Sequence, residues 1–438
     1  MKIKFRLSYT LFFLLFCLSL AGVLHAFDFD ADAYGDISDY LDDVYGIDDN
    51  AGLTSFPVLN VPMGGRAEGM GTAFTAVADD VSFIEYNPAG SSLLEFSELG
   101  IFHNNWIADT KVEGAVFTTR LKNLQNLGLA GAGKWLYLPF TEYNIYGDRA
   151  SKGYYSEAEA ILNASYSFLS SYYFSGISVG MNLKGAFRFV PDYSDANNTD
   201  NYQGQLIEGS GLSQSTGMAM ADIGILTRFD FLKPYYSRDR NMSAALVFKN
   251  LGPPAMDDPL PTAATIALAY KPLRPLLVSM DFSVPFNLMN PELSEKPYGA
   301  VGFAVNATNF LSMRAGLLAK TGNFRVTVGS AVTIDRISLD LNYSMDLLTQ
   351  LQPMNRISLG VRLNLGDQGR KELGRQVDEI YLSGLDAYAS GNMGEARRNL
   401  ETALKLNPQY DPARELLQSI DAAQAVQDQM DELQRLNF

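Results

Sequence analysis

Residues 334–346 read IDRISLDLNYSMD. From Ile337 onward every second residue is apolar, and the residues between are serine, aspartate or asparagine. Because successive side chains of a β-strand point to opposite faces, this alternation places one face in an apolar medium and the other in water. The same alternation recurs at residues 276–284 and 357–365. These stretches are therefore predicted to be two-faced β-strands.

Segments of this kind fill residues 97–366. We count about 14 of them, starting near residues 97, 111, 126, 155, 175, 217, 241, 262, 275, 297, 309, 323, 336 and 355. Many approach the roughly ten residues that a tilted strand needs to cross a bilayer, whereas strands of soluble proteins average about five or six. A membrane-spanning barrel is therefore favoured over a soluble sandwich.

The predicted connections alternate in length. Those after odd-numbered strands are long, near residues 138–154, 190–216, 252–261, 285–296 and 347–354. Those after even-numbered strands are mostly short, near 271–275, 307–309 and 334–336, with 232–240 as a long exception. Short turns on one side and long loops on the other are typical of outer-membrane barrels. The prediction is an all-β transmembrane barrel of about 14 antiparallel strands, with both barrel ends on the periplasmic, short-turn side.

The first 26 residues are typical of a signal peptide. A basic start precedes the apolar run 11–20, and residues 24–26 offer a small-residue cleavage site. Cys17 is the only cysteine and lies inside the apolar run, which argues against a lipoprotein. Removing this segment takes three basic residues and no acidic ones, so the formal charge changes from −15 to −18. A balance this acidic argues against nucleic acid as a partner.

Residues 27–55 form an acidic leader. Its aspartates are Asp28, Asp30, Asp32, Asp36, Asp39, Asp42, Asp43, Asp48 and Asp49. Carboxylates are the hard oxygen ligands that calcium prefers, but their spacing here matches no calcium-binding loop. A solvated, partly disordered leader is the favoured interpretation.

Residues 56–96 are unlike a strand. Glycines at 64, 65, 69 and 71 permit tight turns and close approaches, and Asn87-Pro88-Ala89-Gly90 stops any helix before it. Because a barrel of about 14 strands has a lumen too wide for side chains alone to fill, something must plug it or flow through it. We predict that residues 56–96 form a hatch in the lumen or a cap beneath it. A plain helix stop at Asn87-Pro88 is the alternative.

The same segment resembles the FadL-type long-chain fatty acid transporter family. The resemblance rests on Gly69-x-Gly71, Ala73-Phe74, Ala78-Asp79-Asp80 and Asn87-Pro88-Ala89, followed directly by the barrel. It implies a hatch inside a 14-stranded barrel and a hydrophobic substrate that leaves through a gap in the wall. The chain looks especially like the spirochaetal branch, and a related branch contains the PorV-like shuttle proteins of type IX secretion, which bind protein cargo.

The candidate site follows from the hatch. Phe74, Val77, Phe83 and Ile84 are candidates for an apolar lining, and Gly69, Gly71, Asn87 and Pro88 would shape its backbone. Ordinary packing is the alternative for each of these residues.

Residues 367–438 switch to helical periodicity. Gly384, Ala396, Leu400, Ala403 and Pro408 fall at offsets that resemble a tetratricopeptide repeat, and a third helix is predicted from about Pro412 to Leu436. Since one repeat is below the number that usually stands alone, this domain must pack on itself, dock under the barrel or pair with another chain. Like the hatch, this domain is predicted to lie on the periplasmic side. A periplasmic protein partner and a purely structural cap are the two interpretations of it.

Groups able to carry catalysis are scarce. His103 is the only histidine outside the signal peptide, so metal sites built on histidine or cysteine are not expected. His103 with Asn104 and Asn105 invites comparison with outer-membrane phospholipases, but no serine motif supports it. No enzyme activity, metal or cofactor is predicted.

The leading hypothesis is outer-membrane transport of long-chain fatty acids or similar hydrophobic molecules. Its ligand would be a hydrophobic small molecule and its surroundings outer-membrane lipid. The alternatives are an adaptor that binds a protein through its helical domain, and a general pore.

Overall fold

The computed structural model describes residues 48, 50–107, 109–121, 124, 126–143, 149–190, 215–321, 323–347 and 355–436. Fourteen antiparallel strands form a closed barrel in which each strand pairs with its neighbours in sequence and β1 pairs with β14. A few helices follow at the carboxyl end of the chain. The predicted fold class is confirmed. The predicted signal peptide and most of the predicted acidic leader lie outside the described residues.

The strands are β1 (Ser97–Asn105), β2 (Lys111–Arg120), β3 (Leu127–Tyr143), β4 (Arg149–Phe168), β5 (Ile177–Phe189), β6 (Thr216–Phe229), β7 (Met242–Leu251), β8 (Ala263–Leu273), β9 (Leu276–Pro285), β10 (Tyr298–Asn306), β11 (Leu311–Lys320), β12 (Asn323–Ile334), β13 (Ile337–Asp346) and β14 (Asn355–Gly366). Apart from β4, every predicted start lies within two residues of the observed one. The alternating polarity is strong enough to locate the strands because it is imposed by two different media on the two faces.

In the barrel the polar side chains are buried and the apolar side chains are exposed, which is the reverse of a soluble sandwich. On β13 the polar Asp340, Asn342 and Ser344 are buried, whereas Ile337 and Leu339 are 46% and 43% exposed. Apolar residues also dominate the outward faces of the other strands. They include Ile101, Phe117, Trp135, Leu162, Leu183, Ile225, Ile266, Phe282, Phe303, Val328, Leu359 and Val361. A polar interior inside an apolar outer band is the arrangement of an outer-membrane barrel.

The predicted connection at 138–154 is wrong. β3 and β4 continue through most of it, and their pairing runs from Leu127↔Tyr166 as far as Tyr143↔Arg149. This stretch contains Pro139 and is therefore unlike a strand in sequence, because proline lacks the amide hydrogen that pairs inside a sheet. The pairing of β2 with β3 stops at Tyr137, so Pro139 lies where β3 has only one neighbour, and proline is tolerated there.

The two ends of the barrel differ. Connections after odd-numbered strands form what we call the long-loop rim, and those after even-numbered strands form the short-turn rim. The length rule has exceptions on both rims. The β11–β12 connection is tight although it belongs to the long-loop rim, and the β6–β7 connection spans residues 230–241 on the short-turn rim. The latter exception matches the prediction at 232–240.

The hatch segment, residues 56–96, lies inside the ring of strands. It contains a short α-helix, α1 (Gly65–Gly69), and three 3₁₀ turns at Pro57–Leu59, Val81–Glu85 and Pro88–Leu93. Asn87 accepts a hydrogen bond from the Ala89 amide (3.0 Å) and so caps the last turn. The apolar side chains of the hatch segment form a compact cluster with inward-facing residues of the barrel.

Three helices follow β14: α2 (Arg370–Ala389), α3 (Met393–Leu406) and α4 (Asp411–Leu436). A Cβ on Gly384 would lie 3.3 Å from the Leu400 side chain, so glycine lets α2 and α3 approach closely. Ala396, Leu400 and Ala403 are fully buried between the helices. Within the described ranges, no helix combines the length and apolar character needed to cross a membrane.

The helical domain contacts the short-turn rim. Arg238 of the long β6–β7 connection forms an ion pair with Asp378 on α2 at 2.7 Å. In the β4–β5 connection the Tyr172 ring packs edge-on against Tyr410 at a centroid distance of 5.1 Å. The unusual length of the β6–β7 connection thus has a structural role, since it reaches the helices.

Candidate functional site

The hatch segment is bound to the wall around nearly the whole ring. Hydrogen bonds or close approaches join it to β1–β7 and β9–β14. The wall residues that hydrogen-bond to it include Asn104, Lys134, Asn163, Ser165, Ser178, Asn182, Arg228, Ser243, Ser279, Asp281, Thr327, Asn342 and Arg362. The polar inner face of the strands is therefore largely used to hold this segment.

Many of these bonds run from wall side chains to hatch carbonyls. Asn163 Nδ2 donates to Pro88 O at 2.9 Å, and Asn182 Nδ2 donates to Ile84 O at 3.0 Å. Ser279 Oγ donates to Ala73 O at 2.6 Å. The hatch segment has little regular structure to pair its own backbone groups, and buried backbone groups need partners. The polar wall supplies those partners.

Inward-facing glycines bring the hatch backbone against the wall. A Cβ on Gly128 would lie 2.2 Å from the Ser91 carbonyl carbon, one on Gly180 2.2 Å from Pro88 O, and one on Gly316 2.1 Å from the Gly71 amide nitrogen. No side chain fits at such distances, so these strand positions require glycine. Glycines inside otherwise regular strands are the sequence signal that could have marked this contact.

The predicted apolar lining lies inside the hatch itself. Phe74, Val77, Phe83 and Ile84 are between 0% and 5% exposed and belong to one buried cluster. The Phe74 ring packs edge-on against Tyr86 at a centroid distance of 5.9 Å. In this conformation the four candidates face one another and the wall rather than an open cavity.

The predicted backbone-shaping residues are at tight points. Gly71 has a φ of +64°, and a Cβ there would lie 2.6 Å from the Leu317 amide nitrogen. A Cβ on Gly69 would lie 2.4 Å from Asn342 Oδ1. Asn87 Nδ2 donates to Thr75 O at 2.9 Å, which ties two parts of the hatch together, and Pro88 follows at the first position of the last 3₁₀ turn.

The hatch segment reaches the long-loop rim, which sequence reasoning missed. The prediction placed the hatch and the helical domain on the same side of the barrel, but the amino-terminal end of the hatch lies at the opposite rim from the helices. Phe56 and Val58 are fully buried in an apolar cluster with Ala255 and Leu260 of the β7–β8 connection. Burial of these side chains holds this end at the long-loop rim.

The described part of the acidic leader continues along that rim. The Ser55 amide donates to Pro259 O at 2.8 Å, and Asp48 Oδ2 accepts from the Lys296 amide at 2.7 Å. Asn50 Nδ2 donates to the carbonyls of Glu292 and Ser294 at 3.1 and 3.0 Å. A recess between this segment and the β9–β10 connection has a volume of only about 50 Å³. It is too small for an amphiphile.

Charged side chains fasten the hatch near the short-turn rim. Arg66 pairs with Asp79 at 2.5 Å within the hatch. Arg362 on β14 lies 2.9 Å from both Asp80 of the hatch and Asp340 on β13. Sequence analysis noted Ala78-Asp79-Asp80 as a motif but could not assign its partners, which are distant in sequence.

A second charged network lies deeper in the lumen. Lys134 on β3 pairs with Glu85 of the hatch at 2.6 Å. Asp222 on β6 pairs with Lys184 at 3.0 Å and accepts a hydrogen bond from the Asn250 amide at 2.7 Å. Near Asp222 the pairing of β6 with β7 shifts register, so a carboxylate replaces a strand carbonyl there. Buried ions of this kind are tolerated because each is paired.

Glu68 on α1 is 1% exposed inside the barrel. Its Oε2 accepts from Asn104 Nδ2 at 3.3 Å, and its Oε1 accepts from Ser344 Oγ at 3.4 Å. Burial raises the pKa of the Glu68 carboxyl above its ordinary value, against smaller opposing effects of the Ser358 hydroxyl and the positive charges of Arg325 and Arg356. His103 faces away from this group and lies 2.8 Å from Glu113 on β2.

Comparison with known sequences gives the relationship of the chain. The sequence profile of the uncharacterised protein family UPF0164 matches residues 46–368. The chain belongs to this family. The match covers the hatch segment and the whole barrel, and it ends close to the start of the helical domain.

Relatives of this UPF0164 member occur in a spirochaete. One UPF0164 protein of Treponema pallidum (strain Nichols) is 28% identical over 384 residues, covering 83% of this chain and 82% of the relative. A second from the same organism is 25% identical, covering 82% and 73%.

Among solved structures, two barrels illustrate the general likeness. A mutant of the TodX monoaromatic hydrocarbon channel is 13% identical with a TM-score of 0.40, covering 70% of this chain and 98% of that one. The KdgM porin is 10% identical with a TM-score of 0.29, covering 61% and 99%.

Proposed function

We propose that this protein carries small hydrophobic molecules, long-chain fatty acids foremost, across an outer membrane through its barrel. The observation that supports this is the interface between the hatch segment and the wall. A wide lumen is closed by a separate, irregular segment whose polar contacts with the wall are mostly side-chain hydrogen bonds. Such bonds contribute only about 0.5–1.5 kcal/mol each, because water can replace them. A closure of this kind suits a gate better than a permanent core.

In this proposal the long-loop rim faces outward and the short-turn rim, with the helical domain, faces the periplasm. The apolar cluster around Phe74, Val77, Phe83 and Ile84 is the binding surface. Movement of the hatch would open this cluster, and an apolar ligand would then cover the side chains that the hatch now buries against itself. Burying apolar area favours binding by roughly 25 cal/mol per Å².

A disulfide that fixes the hatch tests the proposal. Ser92 Oγ on the hatch lies 2.8 Å from Ser178 Oγ on β5, both buried. The double variant S92C/S178C would place two thiols at bridging distance and tie hatch to wall. Cys17, the only native cysteine, lies in the predicted signal peptide, so the mature protein offers no competing thiol.

The control is a disulfide that leaves the hatch free. Thr265 Oγ1 on β8 lies 2.8 Å from Ser283 Oγ on β9, both buried and directly opposite in the ladder. We expect oxidised S92C/S178C to lose uptake of labelled oleate and to regain it on reduction. Oxidised T265C/S283C should transport normally. Equal uptake by both oxidised variants would refute a moving hatch, and absence of oleate uptake by every variant would refute the ligand.

A second candidate function is an adaptor that recruits a protein through the helical domain. It is supported by exposed apolar side chains on that domain, Leu382 and Val426 at 59% and 56% exposure among them. Tetratricopeptide-like folding of α2 and α3 is part of this proposal. Deleting residues 367–438 separates the two functions, because a transporter should keep ligand uptake whereas an adaptor should lose its co-purifying protein.

A general pore is the remaining alternative. The hatch segment occupies the lumen and contacts the wall around nearly the whole ring, which argues against free flow in this conformation. Conductance of planar bilayers distinguishes the cases. A steady open current from the intact protein would favour the pore, and a closed baseline the gated transporter.

A further inference from the structure

A recess of about 460 Å³ opens at the short-turn rim beside the hatch segment. Its walls are the β8–β9 and β10–β11 turns with the adjoining ends of β12 and β14, and the hatch contributes Arg66 and Asp79. This volume is within the range of small-molecule sites. We call it the rim recess.

The lining of the rim recess is strongly basic. Its charged residues are Arg66, Lys271, Arg274, Arg314 and Arg362 against the single carboxylate Asp79. Elsewhere the chain is acidic overall, with a formal charge of −15. A concentration of positive charge in a recess of an acidic protein attracts anions, because walls of low dielectric focus the field.

Three of the cations are balanced by neighbouring aspartates. Arg66 pairs with Asp79 at 2.5 Å. Asp340, whose side chain is fully buried, is shared by Arg314 at 2.5 Å and Arg362 at 2.9 Å, and Arg362 also pairs with Asp80. Asp79, Asp80 and Asp340 together supply one carboxylate for each of the three arginines.

Two cations carry charge beyond that balance. Within the part of the chain that the structure describes, neither Lys271 nor Arg274 forms an ion pair. Lys271, near the end of β8, is half-buried, and Arg274, in the β8–β9 turn that follows, is exposed. The positive charges of Lys271 and Arg274 therefore lie at the rim recess without a carboxylate in ion-pair contact among the described residues.

Arg314 adds an unused donor. Its side chain is 2% exposed. One guanidinium nitrogen bonds Asp340 and another donates to Ser312 Oγ at 3.2 Å, but Nε is buried with no acceptor among the described residues. A buried donor without an acceptor costs about 1–3 kcal/mol, so a small turn of the Arg314 side chain that brings Nε to an oxyanion in the recess would supply a missing bond.

We propose that the rim recess binds an oxyanion, a carboxylate or phosphate group, which forms the head of the molecule leaving the barrel. The assignment of the anion to a leaving molecule rests on the proposed transport function; the oxyanion site itself does not. Lys271 and Arg274 supply the attraction, and Arg314 Nε supplies a directed donor. The head group would also compete with Asp79 for Arg66 and so weaken a contact inside the hatch.

Titration calorimetry on the intact protein in nonionic detergent tests the site. The probes are inorganic phosphate, decyl phosphate and decanol, which separate a free anion, an anionic amphiphile and a neutral one. The variants are K271Q, R274Q and K271Q/R274Q. The control is R336Q/R398Q, which removes two exposed charges, one on the same rim and one on the helical domain, outside the recess lining.

We expect decyl phosphate to bind the wild type and the control equally. Each single variant should weaken it about tenfold, which corresponds to a loss of about 1.4 kcal/mol of binding free energy. Binding should also weaken with added salt. If inorganic phosphate also binds, and binds more weakly to the variants, the site is open to free anions. If decyl phosphate binds and inorganic phosphate does not, the site recognises the head group of an amphiphile.

Equal affinity of every variant for decyl phosphate, or equal binding of decanol, would overturn the oxyanion site. Uptake of labelled oleate by proteoliposomes that carry the same variants keeps the two proposals apart. If uptake persists without oxyanion binding, only the rim recess proposal fails. If the variants lose oxyanion binding as expected but oleate is not taken up, the transport function fails instead.

Discussion

Gly128→Ala is the sharpest perturbation of the contact between hatch and wall. The added Cβ would lie 2.2 Å from the carbonyl carbon of Ser91 and 2.4 Å from the amide nitrogen of Ser92. Carbon atoms in ordinary contact are about 3.5 Å apart, so the two backbones must separate by roughly 1.3 Å. Overpacking of this kind costs about 1–3 kcal/mol. Because backbone atoms cannot rotate away, the hatch has to move.

Gly133→Ala is the matched control on the same strand. Nothing lies within 4 Å of a Cβ there, and the residue is exposed. Alanine in place of a strand glycine is expected to be neutral or stabilising by up to about 1 kcal/mol.

The assays are urea unfolding of refolded protein and conductance of planar bilayers. We expect G128A to unfold at lower urea and to pass current through a displaced hatch, whereas G133A should match the wild type in both. If G128A were as stable and as closed as G133A, the contact between hatch and wall would not be as described.

Three further perturbations test other parts of the structure. Asn182→Ala should cost about 1–3 kcal/mol in urea unfolding, because it leaves the buried Ile84 carbonyl without its hydrogen-bond donor; an unchanged midpoint would contradict this. Arg238→Glu places like charges where a 2.7 Å ion pair stands, so limited proteolysis should release residues 367–436 faster without lowering barrel stability, whereas Arg398→Glu should not. Burial raises the pKa of Glu68, so between its unfolded and folded pKa values the unfolded chain holds fewer protons and stability falls as pH rises. The stability of Glu68→Gln relative to that of the wild type should therefore be greater at pH 8 than at pH 4. A difference that does not change with pH would refute this.

Alternation along the chain predicted the barrel because it follows from the two media that each strand separates. The starts of β13 and β14 are predicted to within a residue for this reason. The extension of β3 past Pro139 was not predictable from local sequence. β3 runs past Lys111, the first residue of β2, and beyond that point it pairs with β4 alone. Where β2 begins is a property of the neighbouring strand.

The candidate site was predictable only in outline. The glycines near residue 70 and Asn87-Pro88 marked an irregular segment, and the structure places it against the wall. Its reach to the long-loop rim depends on Phe56 meeting Leu260, a contact between residues far apart in sequence. The rim recess was not predictable for the same reason, since its cations come from the hatch and from four different strands or turns.

The pairing of β1 with β14 joins the first strand to the last, so the ring has a single seam between residues remote along the chain. Contacts of such large sequence separation form late, because a long loop must first be closed. Residues 56–96 are made before every strand and end up encircled by them. The strands must therefore close around a segment that was synthesised before them. The positions of Gly128 and Gly316 leave the least space between that segment and the strands.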